Sequence, residues 1–151
     1  RGRVVGSGAY RDLVHDRAAA AVVHERGMTN LLEGTVTRRE PALGTSTVAI
    51  APGTELTVPM TDAAAGERVV LSIAPKDVAL AGARIERVSI QNQVAAVVGR
   101  ISMHERMALV EVLVGERPLL AEVSHRAVRD LALASGSPVV CLMKSQAIEC
   151  R

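Results

Sequence analysis

Asn30-Leu-Leu-Glu-Gly-Thr-Val36 is answered 62 residues later by Asn92-Gln-Val-Ala-Ala-Val-Val98, and the equivalence of these two stretches decides the fold. Carried forward, the same offset places Val48 on Val110, Ile50 on Val112 and Gly53 on Gly115. Further on, Gly66-Glu-Arg-Val-Val-Leu71 aligns with Gly136-Ser-Pro-Val-Val-Cys141 at an offset of 70. The eight additional residues fall where the second copy carries Ser124-His-Arg-Ala-Val-Arg-Asp-Leu131. A period this long exceeds that of most solenoids. It predicts two small β modules packed together, the second with an inserted helix.

Working outward from the repeat, the texture after Gly27 is one of short strands. Segments 32–39, 46–51 and 55–59 have the length and Thr/Val content of antiparallel strands, with turns at Pro41-Ala-Leu-Gly44 and Pro52-Gly53. Segment 68–74 reads as a longer apolar strand, followed by a tight, 3₁₀-like turn at Pro75-Lys-Asp-Val78. The second copy repeats the order with strands at 94–101, 108–114, 118–123 and 139–144. Ser124 is a good N-cap for a short helix over 125–133, which Ser135-Gly136-Ser137 ends. Closely spaced strands with a helix between the third and fourth describe a small Greek-key barrel of OB type. The expected fold is therefore mainly β: two tandem OB-like Greek-key barrel modules, one short helix in the second, and a helix ahead of both. The boundaries read as 1–28 for a preceding segment, 29–83 for the first module and 84–151 for the second.

Composition narrows the function classes. With no Phe, no Trp and a single Tyr, Tyr10, the core must be built from aliphatic side chains and Met. The net charge of +2 and the near absence of stacking aromatics argue against nucleic-acid binding on a β-barrel. Cys141 lies in an apolar run and Cys150 next to the end, which is neither a disulfide framework nor a zinc spacing, so both read as free thiols. His15, His24, His104 and His125 are scattered, without ligand spacing, and no metal site is expected. No apolar run reaches the length of a membrane span, and no signal peptide opens the chain, so no direct membrane insertion is expected. There is no Walker A pattern, no Ser/His/Asp arrangement and no defensible carboxylate pair, so no catalytic residue is assigned and these residues do not read as an enzyme.

The first residues read as the remainder of something larger. Arg3-Val-Val-Gly-Ser-Gly8 looks like a strand ending in a Gly-rich turn, and 9–25 reads as a helix stopped by Gly27.

Three segments then carry a family resemblance. Ser89-Ile-Gln-Asn-Gln93, followed by a strand, the short helix and Met143-Lys-Ser145, resembles a Mop module, the small barrel that binds molybdate and tungstate. The preceding half, with Ile73-Ala-Pro-Lys-Asp-Val78, resembles the related transport-associated (TOBE) barrel. Arg3-Val-Val-Gly-Ser-Gly8 is similar to the last strand turn of an ABC-transporter ATPase. In that order the pieces look like the C-terminal regulatory region of the ATP-binding subunit of a molybdate importer. The resemblance implies an oxyanion ligand, molybdate or tungstate, with no cofactor in these residues; ATP and Mg would belong to an upstream domain. It also implies a homodimer, a membrane permease subunit as partner, and a cytoplasmic location peripheral to the inner membrane.

Molybdate is a tetrahedral dianion that offers only acceptor oxygens, so its site needs converging donors. On the resemblance, the oxyanion-binding residues are Ser89, Gln91, Asn92, Ser124, Lys144 and Ser145. Lys144 would supply a point charge and Ser89 and Ser145 hydroxyls, in charge-assisted bonds about twice as strong as neutral ones. The helix beginning near His125 would add a favourable dipole. Gln91 stands where the family often has Arg and donates without charge. Asn92 also suits a turn. The first copy has Ala74-Pro75 where the second has Lys144-Ser145, and is expected to be structural. Two readings follow: an oxyanion sensor that feeds back on import, or a dimerising accessory domain of an importer for another solute.

Overall fold

The structure, a computed structural model, describes residues 28–151. The strand, Gly-rich turn and helix expected before Gly27, with the ATPase end they would mark, lie outside the described residues. Strands β1 (Asn30–Glu40), β2 (Thr45–Ala51), β3 (Thr54–Pro59), β4 (Arg68–Ile73) and β5 (Val78–Ala81) come first. They are followed by β6 (Asn92–Met103), β7 (Ala108–Val114), β8 (Arg117–Val123), the helix α1 (His125–Asp130), β9 (Pro138–Met143) and β10 (Glu149–Cys150). Single 3₁₀ turns sit at Pro41–Leu43, Pro75–Asp77 and Ser145–Ala147. The chain is mainly β and forms two OB-like antiparallel units, with the helix where the sequence places it.

The two five-stranded sheets run β10-β4-β1-β2-β3 and β5-β9-β6-β7-β8. Each sheet therefore contains one strand from the other half of the chain. β5 pairs antiparallel with β9, Val78 opposite Met143, while β10 pairs with β4, Glu149 opposite Ser72. The 3₁₀ turns that lead into these lent strands, 75–77 and 145–147, are equivalent at the offset of 70 and contact β8 and β3 respectively. Neither β5 nor β10 is among the strands expected from the sequence. They are four and two residues long, and their partners lie across the module boundary, where local patterning carries no signal.

Repetition extends to the backbone. Gly66 donates its N–H to Val36 at 2.7 Å and Gly136 to Val98 at 2.8 Å, with φ of +93° and +90°. Only glycine adopts that region without strain. Gly53 is the second residue of the β2–β3 turn and Gly115 the first of the β7–β8 turn; a register shift in β2 between Ala49 and Ala51 takes up the difference. Helix α1 is shorter than expected. It stops at Asp130 because Ala132 turns left-handed (φ +50°), which directs Leu133 into the core.

One aliphatic core serves both halves. Leu32, Val48, Leu56 and Leu71 of the first half pack in the same cluster as Val98, Val110, Leu119 and Met143 of the second. β-Branched residues dominate it, as a half-buried pleated surface favours. Cys141 is fully buried there, the small core residue that its apolar neighbours suggest.

Two asparagines, equivalent in the repeat, fasten the halves to one another. The Asn30 amide donates to Leu120 O and accepts from Leu120 N, both at 2.9 Å, linking β1 to the free side of β8. The Asn92 amide does the same to Thr57 of β3, both at 2.8 Å. Asn30 and Asn92 are buried, and each supplies the backbone of an outer strand with the donor and acceptor that a neighbouring strand would otherwise provide.

Candidate functional site

Of the six residues singled out in the sequence, the structure brings Gln91 and Ser145 into direct contact. Ser145 Oγ donates to Gln91 Oε1 at 3.2 Å, across 54 residues of chain. The two segments that carry the Mop resemblance therefore meet. Lys144 precedes Ser145 as an exposed residue at the head of the 3₁₀ turn, where β9 ends. Ser89 is exposed in the segment leading into β6. Ser124 caps α1, accepting from Ala127 N at 3.0 Å, which accounts for its place before the helix.

Asn92 is not a turn residue. It begins β6, is 4% exposed, and both ends of its amide are held by Thr57. Its effect is positional: by clasping β3 it sets the preceding residue, Gln91, against the first half of the chain. Gln93 steadies the same segment from the other side. Its side-chain amide accepts from Ile85 N and donates to Ile85 O, each at 2.8 Å. Gln93 Nε2 also reaches Ile90 O at 3.4 Å, so the residues on either side of Gln91, Ile90 and Asn92, are both held.

Gln91 lines a cleft of about 330 Å³ whose opposite wall is the first module. That wall presents Arg38 and Glu40 of β1, Thr45 and Thr47 of β2, and Thr57 of β3. Arg38 Nε pairs with Glu40 Oε1, and an Arg38 Nη reaches Thr47 Oγ1 at 3.5 Å. Hydroxyls, a side-chain amide and a guanidinium give the cleft a donor-rich lining, with Glu40 its one acid. Clefts around Gly34 and around Met60 contain none of the six residues.

Arg38, Thr47 and Thr57 were not legible as partners of Gln91. Arg38 and Gln91 fall in different modules, and packing between the halves, with the clasp of Asn92 on β3, brings them to one cleft. Among the described residues no group of three or more His, Cys, Asp or Glu could hold a metal ion. Burial pushes the Cys141 thiol up to about 12, which keeps it protonated and inert. No helix among the described residues is long and apolar enough to cross a membrane.

The fold and cleft define a class of tandem OB-like barrels with a polar site at the junction of their halves. Comparison with known proteins supports the overall resemblance read in the sequence, with one shift of place: residues 88–149, the half read as Mop-like, match the model of the TOBE domain, which the sequence suggested for the preceding half. Among relatives, a molybdenum import ATP-binding protein, ModC, of Pasteurella multocida is 34% identical over 83 residues, covering 55% of this chain and 24% of that protein. ModC of Methylococcus capsulatus is 35% identical over 85 residues, again 55% of this chain and 24% of the relative. ModC 1 of Azotobacter vinelandii is 27% identical over 150 residues, 98% of this chain and 41% of its own length. The chain spans between about a quarter and two-fifths of the relatives it matches. The fold is similar to that of ModG, a cytoplasmic molybdate-binding protein solved with molybdate bound, with a TM-score of 0.70 and 21% identity over 80% of this chain and 94% of ModG.

Proposed function

We propose that this region is the oxyanion-binding regulatory end of an ABC importer's ATP-binding subunit, with molybdate or tungstate as its ligand. The contact between Ser145 and Gln91 carries the reading. It joins the two sequence segments that resemble the Mop motif, and one of them, through Gln91, lines a donor-rich cleft. A tetrahedral dianion presents only acceptors, and the donors here are the Gln91 amide N–H groups and the Lys144 ammonium, joined by the Ser145 hydroxyl once its proton turns from Gln91 Oε1 to the anion. Ser89 lies two residues from Gln91 and would add a hydroxyl, whereas Asn92 and Ser124 act by fixing the backbone. The names of the relatives and of the structural neighbour, all concerned with molybdenum or molybdate, support the choice of ligand.

In this reading the subunit works as a homodimer beside a membrane permease, on the cytoplasmic face. ATP and Mg are handled by a domain upstream of these residues. Ligand abundance would favour one arrangement of the paired regulatory ends and so slow import. It would do so only to the extent that the ligand's affinities for the two arrangements differ.

Isothermal titration with molybdate, with sulfate as control, tests the proposal. Saturable, molybdate-selective heat that is lost in Lys144→Ala supports it. A folded protein that takes up neither anion at millimolar concentration removes the sensing role and leaves a dimerising accessory domain, which the neutral Gln91 would suit.

A further inference from the structure

We infer that Arg38, from the first half of the chain, is a charge-bearing residue of the oxyanion site, held in reserve by Glu40. The inference rests on the oxyanion reading above and adds to it a cation contributed by the other module.

Of the residues that carry the Mop resemblance, Gln91 alone lines the cleft, and its side-chain amide bears no charge; the Lys144 ammonium is not part of that lining. A dianion drawn out of water is stabilised further where positive charge lies within a few ångströms. Arg38 is the cation that lines the cleft with Gln91. Its guanidinium is forked and fully ionised, a form that matches a tetrahedral oxyanion edge in a bidentate way. One Nη reaches Thr47 Oγ1 at 3.5 Å, on a residue 7% exposed, while the Arg38 side chain itself stays 61% exposed and open to an arriving anion. The Asn92 clasp on Thr57 fixes the spacing of the two walls.

Glu40 is the counterpart of this arrangement. Its carboxylate pairs with Arg38 Nε and lines the same cleft. With the site empty, the pair cancels its own charge. An arriving oxyanion competes with Glu40 for the guanidinium, and Glu40 repels it. Glu40 therefore weakens binding, and its removal should tighten it. A merely structural ion pair would make the opposite prediction for one of the two residues, since loss of either partner would then act in the same direction.

The test is titration of the protein and of Arg38→Gln and Glu40→Gln with molybdate, each variant first checked for an unchanged far-UV circular dichroism melt. Loss of one charge-assisted contact is expected to weaken Arg38→Gln about tenfold, and loss of the competing acid to tighten Glu40→Gln about threefold. Should Arg38→Gln fail to fold, Thr47→Val removes the hydroxyl that holds the guanidinium and is expected to weaken binding in the same sense. Binding by the parent protein with Arg38→Gln within twofold of it overturns the role of Arg38 and leaves the oxyanion reading in place. An Arg38 loss accompanied by an equal Glu40 loss also overturns it, because both would then act through structure. No binding by the parent protein overturns the oxyanion reading and this inference with it.

Discussion

Asn30 and Asn92 occupy equivalent places, yet removal of their side chains should not cost the fold equally. In Asn30→Ala, Leu120 loses the partner of both its N–H and its C=O, each bonded at 2.9 Å. Leu120 is 4% exposed, so water does not readily replace the amide. A buried donor or acceptor left unpaired costs about 1–3 kcal/mol, and two of them, softened by some relaxation, give an expected loss of about 3 kcal/mol. Thr57, the partner of Asn92, is only half-buried, and water can take over both bonds there. Asn92→Ala should therefore cost nearer 1–2 kcal/mol, the net worth of two ordinary hydrogen bonds. The assay is urea unfolding followed by far-UV circular dichroism, because a chain with no Trp and a single Tyr gives poor fluorescence contrast. A loss of 3 kcal/mol should also lower the melting temperature by about 10 °C for a domain of this size. If Asn30→Ala lost less than 1 kcal/mol, or no more than Asn92→Ala, the bonds across the module boundary would not be holding β8 as argued.

Two further outcomes follow from packing. A Cβ on Gly34 would stand 2.5 Å from Val48 Cγ1 and 2.7 Å from the backbone oxygen of Ala49, whereas one on Gly99 would meet a side-chain atom, Glu111 Oε1, at 2.7 Å. Gly34→Ala should then cost about 2–3 kcal/mol, the usual range for overpacking, and Gly99→Ala clearly less; equal denaturation midpoints would refute the distinction. For the thiols, Cys141 is fully buried with its pKa pushed up to about 12, while Cys150 is half-buried. The thiolate is the reactive form, so at pH 8 a thiol reagent should titrate Cys150 in the folded protein and reach Cys141 only in urea. Rapid reaction of both would show that the core around Cys141 is open.

The strands that pair within one module were readable from their length, their apolar and Thr/Val content, and the turn residues between them. The hairpin at Gly115 and the glycines at 66 and 136 illustrate this: the sequence position and the left-handed backbone coincide. β5 and β10 were not readable, since Val78-Ala-Leu-Ala81 and Glu149-Cys150 acquire strand geometry only from partners supplied by the other half. The end of α1 was placed too late for a different reason. Leu131 and Leu133 extend the apolar pattern, but burial of Leu133 wins over helical continuation and turns the chain at Ala132. At the site, Gln91 and Ser145 were found from their motif segments, and their contact is a fact of the fold. Arg38 could not be found in this way, because strand β1 gives no sign of which outer strand Asn92 will clasp.

The lending of β5 and β10 across the halves also bears on how such a chain is made. β10 is the last of the described strands, and its partner β4 lies in the first half, so the first barrel is unfinished until β10 is available. On a ribosome, residues 30–81 would emerge with the edge of β4 uncovered, and β5 without its partner β9. An uncovered edge is a template for pairing with another chain, and contacts between distant residues slow folding. Where two nascent copies are near one another, each could accept the arm meant for itself from its neighbour, giving an exchanged dimer with the same local pairings.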